Sequence, residues 1–524
     1  MRKTGILFSL IAFHLLFFCA FAQMQDSTAT RKKIYLEHSK TLSFDENINP
    51  DAQILVGDVR FRHDSSYMYC DSAYYYEASN SLEAFSNVRM EQGDTLFIYG
   101  NWLFYDGNIQ LARLRENVRM ENNQVTLFTD SLNYDRISNI GYYFDGGLIV
   151  DEDNELSSYY GQYSPDTKLA IFNDSVRLEN PQFILYSDTL HYDTNTKIAT
   201  ILGPSVIESD SGTIHSSRGW YNTETNVSLL LDRSQVLSGD RLLMGDSIVY
   251  DRESGFSEVF GNMFLQDTAQ MIILEGKYGY YNEKTEYAFA TDSARFLEYS
   301  QGDTLYLHAD TLLMETVDST FREIKAYYGV RFYRIDLQGV CDSMQFNTRD
   351  SVLYLYTDPV VWNETYQLYG DTIVVHMNDS TVDYAHVIQF AFAVQEADSS
   401  YYNQVKGNDL KAYFNGKSVS RIDVSGNAES IYYPLEDDGA KIGLNETKSA
   451  YLSVWLEDNK LEKLKLWPEA EGTLTPIPDL RPDQKTLKDF YWFDYLRPKN
   501  KDDIYNVVKR KSGDAPKRSN KFVH

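Results

Sequence analysis

A spacing of about 29 residues governs this chain. Anchor positions fall at Tyr75, Tyr105, Tyr134, Tyr163, Tyr192, Tyr221, Tyr250, Tyr281, Met314, Phe346, Val375 and Tyr413, in steps of 30, 29, 29, 29, 29, 29, 31, 33, 32, 29 and 38 residues. The anchor closes a recurring phrase, as in Thr129-Asp130-Ser131-Leu132-Asn133-Tyr134-Asp135, Ser187-Asp188-Thr189-Leu190-His191-Tyr192-Asp193 and Gly245-Asp246-Ser247-Ile248-Val249-Tyr250-Asp251. A second phrase lies between anchors: Asn87-Val88-Arg89-Met90-Glu91, then Asn117-Val118-Arg119-Met120-Glu121, with echoes at Gly57-Asp58-Val59, Tyr328-Gly329-Val330 and Gly426-Asn427-Ala428. A unit this short cannot enclose a core of its own. It has to stack on its neighbours.

Within each phrase apolar residues alternate with polar ones. Leu132 and Tyr134 share one face, as do Leu190 and Tyr192, and Ile248 and Tyr250. Alternation with Tyr, Val, Ile and Thr predicts half-buried strands, and no helical period stands out in residues 50–460. The expected fold is all-β, an elongated stack of about 12–13 repeats. Its rungs would lie ~4.8 Å apart, with the tyrosines stacked offset along a core stripe. Cys70 and Cys341 occupy the same slot nine repeats apart, too far for a disulfide, and are expected as free, small core residues. The Asn-Val phrases and the Asp that precedes Ser or Thr both read as turn chemistry at strand ends.

Composition narrows the partners. The chain has 524 residues, with 49 basic against 76 acidic side chains and a net charge of -27. That excludes nucleic acid, which needs a basic surface, and simple electrostatic docking on an anionic membrane. Residues 1–22 read as a signal peptide, with Arg2 and Lys3, an apolar run and Ala20-Phe21-Ala22. Residues 23–49 are a lead-in, residues 50–392 the repeats, and residues 393–466 the last repeats after an irregular break. Residues 467–508, rich in Pro and aromatics, are expected to cap the open end of the stack, and residues 509–524 form a basic, disordered tail. The export signal places the protein in the periplasm, alone or against the inner or outer membrane.

Catalytic constellations are weak. The eight His beyond the signal peptide are scattered, with no paired spacing for zinc, and no nucleophile elbow or phosphate loop is present. No enzyme, cofactor or metal is expected. The recurring Asp71, Asp130, Asp188, Asp246, Asp310, Asp342, Asp371 and Asp409 are read as structural, with calcium between rungs the sharper alternative. Their Asp-Ser/Thr-apolar triplets resemble the O-glycosylation acceptors of Bacteroidetes exported proteins.

The Asp-x-x-x-Tyr-Asp phrase, a turn, then Asn-Val or Gly-Asn resembles the OstA-like repeat, best over Asn87 to Asp106, Asn117 to Asp135 and Gly426 to Tyr433. That family includes the periplasmic lipopolysaccharide bridge LptA and the periplasmic domain of LptD. The length and the aromatic C-terminal segment are similar to the larger OstA-like proteins of Bacteroidetes. The resemblance implies a β-jellyroll whose two sheets face each other across an apolar groove, and a role in lipopolysaccharide or lipid transport for outer-membrane assembly. It implies lipopolysaccharide or a related glycolipid as ligand, and other Lpt-type components of the inner and outer membrane as partners. The groove-lining residues would be Tyr75, Leu103, Tyr105, Leu132, Tyr134, Leu190, Tyr192, Ile248 and Tyr250. The alternative is a structural or adhesive exported repeat protein with a closed core and no lipid.

Overall fold

The computed structural model describes residues 32–514 except 301, 318–320, 379–380, 399, 417, 437–438 and 458–459. The expected signal peptide and most of the basic tail lie outside the described residues. The described chain is all-β: 36 strands, all in antiparallel pairings, and four single turns of 3-10 helix, the latter confined to residues 477–505. It divides into two compact units after Leu178.

One repeat is a hairpin. In the first unit Gln53–His63, Ser66–Tyr76, Ser81–Gln92, Leu96–Asp106, Leu111–Asn122 and Val125–Asp135 pair in order, each antiparallel to the next. Where an Asp follows the anchor it makes the turn: Asp106 and Asp135 accept the backbone N–H two residues on, from Asn108 and Ile137, at 2.9 and 2.8 Å. Here the reading of turn chemistry holds.

It does not hold for the Asn-Val phrases or for the Asp that precedes Ser or Thr, and the structure corrects both. Ser86-Asn87 and Glu116-Asn117 sit in mid-strand with positive φ (61 and 49°, 65 and 52°). Two successive left-handed residues break the ladder and crease the strand. The register shifts there, between Phe85 and Val88 and between Arg115 and Val118. Asp71 and Asp130 lie opposite these creases, inside their own strands: Asp71 Oδ2 accepts from Asn87 Nδ2 at 2.7 Å, and Asp130 Oδ1 accepts from the Asn117 backbone N–H at 3.0 Å. In the second unit Asp246 accepts from Asn262 Nδ2 at 2.6 Å beside the crease at Gly261-Asn262. Asn tolerates left-handed backbone and supplies a donor, which is why it recurs in this phrase.

The crease gives every long strand two halves, each in a different sheet. Residues 53–56, 72–76, 81–85, 102–106, 111–115 and 131–135 form one sheet, here called the anchor sheet. Residues 59–63, 66–69, 88–92, 96–100, 118–122 and 125–129 form the facing sheet. Inward parity flips at the fold: Met68 and Cys70 are buried before Asp71, Ala73 and Tyr75 after it.

The anchor row also differs from the expected stack of rings. Across the first unit it reads Tyr75, Leu82, Tyr105, Ala112, Tyr134, Gly141, Tyr163, Ala170, one residue per strand. Successive tyrosines are therefore two strands apart, ~9–10 Å at ordinary strand spacing, beyond ring-pair range. Small residues between them make room; a Cβ on Gly141 would lie 2.9 Å from Met120 Sδ.

In the second unit the same row runs Tyr192, Ala199, Tyr221, Ser228, Tyr250, Ser257, Tyr281, Ala288, Met314, Ile324, Phe346, Leu353, Val375, Ala385, Ala412. Tyr413 is not in it; it pairs with Tyr384 on the opposite face. The 38-residue step is no break in the array either. Strands Thr381–Asp398 and Tyr401–Asn415 are simply longer, and Thr381–Asp398 carries an ordinary crease at Gln389-Phe390 (φ 59 and 51°). Cys70 and Cys341 are free and buried, each within its own unit.

The aromatic C-terminal segment lies along the outer side of the facing sheet, not over the last strand. Phe493, Leu496 and Leu487 pack with Trp362, Tyr369, Phe392 and Tyr433. Two fully buried glutamines dock its backbone. Gln367 accepts from the Phe493 N–H (2.8 Å) and donates to the Tyr491 carbonyl (2.9 Å). Gln404 does the same with Leu487 N–H (2.8 Å) and the Lys485 carbonyl (2.9 Å).

Candidate functional site: the seam between the sheets

Two sheets joined at a crease leave a seam along their far edges. What fills that edge decides whether the interior is open. In the first unit it is latched. Tyr105 Oη lies 2.6 Å from His63 Nδ1, Tyr134 Oη 2.9 Å from Gln92 Oε1, and Tyr163 Oη 3.1 Å from Asn122 Oδ1. Each tyrosine belongs to the anchor sheet, and each partner ends a strand of the facing sheet 41 or 42 residues earlier. Tyr75 Oη closes the series on the Ile34 carbonyl at 2.9 Å.

The Tyr105 latch is a small network. His63 Nε2 faces the Lys32 carbonyl at 3.2 Å, so this nitrogen carries the proton and Nδ1 accepts from Tyr105. Arg136 Nη1 donates to Tyr105 Oη at 2.6 Å. Burial, and then the Arg136 guanidinium, hold the His63 pKa below its ordinary value. Burial pushes the hydroxyls of Tyr105 and Tyr134 upward, and that of Tyr143 up to about 12.

In the second unit an ionic latch takes over. Arg241 and Asp267, at the edge of the facing sheet, meet Glu286 and Arg322 on the other side. Arg241 Nε is 3.2 Å from Asp267, Arg241 also binds Glu286, and Arg322 Nη2 lies 3.6 and 3.7 Å from Asp267 and Glu286.

Beyond Arg322 the anchor row carries Phe346, Val375, Ala385 and Ala412, with neither hydroxyl nor charge to reach across. Here the interior holds two apolar cavities. The first, of about 100 Å³, lies between Val375, Ala385, Phe414 and Val419 of the anchor sheet and Leu337, Val361, Tyr366 and Leu368 of the facing sheet. Asp303, Arg334, Asp336 and Asn363 line it as well. The second, of about 50 Å³, lies between Ala393 and Val405 of the facing sheet and Ile422, Val454 and Leu464 of the anchor sheet, with Gln395, Asn403 and Ser430 also in its lining. Tyr366 lines both.

The nine sequence-predicted groove residues stand in the seam interior, and all are buried, 0 to 7% exposed. Tyr75, Leu103, Tyr105, Leu132 and Tyr134 are in the first unit, and Leu190, Tyr192, Ile248 and Tyr250 in the second. None of them lines either cavity. The periodic reading placed Val375 in the anchor row but not among the groove residues, and it missed Tyr366, Leu368 and Ala385. The available signal was the drift of the anchor from Tyr to Met314, Phe346 and Val375. Among the described residues no group of three or more His, Cys, Asp or Glu is placed to hold a metal ion, and no helix is long and apolar enough to cross a membrane.

Comparison with known families bears on the latched part of the seam. The model of the family described as OstA-like protein matches from residue 31 to residue 188. Residues 31–188 are OstA-like. This OstA-like segment contains every tyrosine latch described above and ends inside the strand Phe183–Asp193, before the ionic latch and both cavities. No curated protein matches the chain.

Proposed function

We propose that the protein binds acyl chains between its two sheets and serves lipopolysaccharide or related glycolipid transport in the periplasm, working with Lpt-type components at the inner and outer membranes. One observation carries this reading: among the described residues the anchor row beyond Arg322 carries neither hydroxyl nor charge, and the two largely apolar cavities lie in that stretch. An acyl chain needs only apolar area, at ~25 cal/mol per Å² buried. The OstA-like character of residues 31–188 supports the transport class.

Size sets the terms of binding. An apolar cavity of ~150 Å³ takes up benzene. The two spaces here, about 100 and 50 Å³, hold a short length of chain as they stand, and a longer chain requires the unlatched sheets to part. On this reading the nine latched-seam residues meet lipid only after the tyrosine hydroxyls let go.

The closed-core reading also has an observation in its favour, the fully buried anchors Tyr105, Tyr134 and Tyr163 of the first unit with their hydroxyls tied across to the facing sheet. A photo-crosslinking amino acid at Phe414, inside the first cavity, separates the two when the protein is made in its own envelope. Capture of lipid at Phe414 and not at the outward neighbour Tyr413 supports transport. Absence of lipid at Phe414, with none recovered by mass spectrometry of the purified protein, favours the structural reading.

A further inference from the structure

Three buried tyrosine hydroxyls among the described residues, those of Tyr281, Tyr366 and Tyr433, have no hydrogen-bond partner, and of these Tyr366 lines both apolar cavities. It is 4% exposed, and its hydroxyl has no hydrogen-bond partner in the protein. A buried hydroxyl left unpaired is costly, and such groups are normally paired in native structures. Its setting gives it a use. The strand Tyr366–Tyr369 is buried on both faces. Gln367 and Tyr369 point outward and are held by the C-terminal segment, Tyr369 Oη through the Asp489 carbonyl and the Tyr491 N–H, both at 3.0 Å. Tyr366 and Leu368 therefore point inward, and Tyr366 stands on the wall common to both cavities. The wall is clamped from outside, and the Tyr366 hydroxyl faces a space lined by apolar side chains together with Asn363, Gln395, Asn403 and Ser430.

We propose that Tyr366 is the specificity residue of the acyl site and donates its hydroxyl proton to the carbonyl of an ester- or amide-linked acyl chain. The inference rests on the acyl-binding reading above and deepens it. With the carbonyl at Tyr366, the tail runs on between Val405, Ile422, Val454 and Leu464, and the linkage leads out through the first cavity toward Asp303, which is exposed. The polar rim suits a linked chain better than a free fatty acid. Among the described residues lining the first cavity the sole cation is Arg334, and Asp336 holds it through Nε at 2.6 Å. A free carboxylate would face two acidic side chains with that guanidinium already engaged. Asn363 adds an acceptor, since its buried Oδ1 also has no partner in the protein; it fits a hydroxyl or amide N–H beside the carbonyl.

The test compares two amphiphiles with ten-carbon chains, each below its micelle concentration, on the full chain: decanoyl-N-methylglucamide, which has an amide carbonyl, and decyl glucoside, which has none. Binding is read by titration calorimetry. The native protein is expected to prefer the amide by about three- to tenfold, the worth of one net hydrogen bond. Tyr366→Phe is expected to erase that preference and leave decyl glucoside binding unchanged. Equal affinity of native protein for both compounds overturns the inference and leaves acyl binding standing, as does a preference that survives in Tyr366→Phe. Failure of both compounds to bind overturns the acyl-binding reading itself. The native comparison needs no variant, so the outcome does not depend on how Tyr366→Phe folds.

Discussion

The hydroxyl of Tyr134 lies 2.9 Å from Oε1 of Gln92, joining the last turn of the strand Val125–Asp135 to the end of Ser81–Gln92 in the opposite sheet. The same hydroxyl also reaches Asn139 Oδ1 at 2.6 Å. This is the geometry of a fastening, repeated at Tyr105 and Tyr163.

Tyr134→Phe keeps the ring and removes the fastening. The single hydroxyl proton that Gln92 Oε1 and Asn139 Oδ1 share is lost, and the expected loss is about 1–2 kcal/mol of unfolding free energy. Leu132→Ala, two residues away and fully buried, is expected to cost more, about 2–5 kcal/mol. Urea denaturation of both variants checks the order. If Tyr134→Phe is as stable as the native chain, the hydroxyl fastens nothing.

Stability has an alkaline limb and an acid limb. Burial raises the pKa of Tyr105, Tyr134 and Tyr143 in the folded state. Their contribution is full below the unfolded tyrosine value of ~10 and declines as pH rises from there toward the folded values. His63 has the opposite sign: its folded pKa is depressed, so its contribution is present above ~6.5 and declines as pH falls below that. Thermal melts from pH 4 to 11 should fall off at both ends. His63→Gln, which keeps an acceptor for Tyr105, should flatten the acid side selectively.

Asn117→Val strikes the crease. A β-branched residue at φ 52° is strained by about 1–3 kcal/mol. Asn117→Gly should be nearly neutral, because the bond to Asp130 comes from the backbone N–H. Comparable losses in both variants, measured by chemical denaturation, would show that the Asn117 side chain matters and the backbone angle does not.

Cys70 and Cys341 are buried thiols whose pKa burial pushes upward, that of Cys70 to about 12. Neither should react with an aromatic disulfide reagent at pH 8 in the native protein, and both should react after unfolding. Rapid labelling of the native chain would mean that the interior opens freely.

Much of this architecture was legible as period alone. The 29-residue spacing and the alternation of Leu132 with Tyr134 located the strands, and the Asp after Tyr105, Tyr134, Tyr192 and Tyr250 located those turns. Period could not distinguish a turn from a crease, because Asn with a left-handed backbone serves both; only the register between Phe85 and Val88 shows that the chain continues as a strand. Nor could it show that the two strands of a repeat pair side by side in the same sheet, which doubles the distance between tyrosines. The site was least legible because it lies where the pattern fades. Val375 reads as a degraded anchor, and its consequence, space beside Ala385, exists only once the register sets the two side by side. The buried glutamines Gln367 and Gln404 gave no signal, since their partners lie more than 80 residues away in the C-terminal segment.

The mid-strand fold also dictates how such a body could admit a guest. Because each long strand belongs to both walls, the walls cannot drift apart as two plates; every rung is bound at its own spine, like leaves in a book. Parting one rung bends its immediate neighbours and leaves distant rungs shut. A guest advancing along the interior would then meet clasps singly, at a cost set by one clasp and not by their sum.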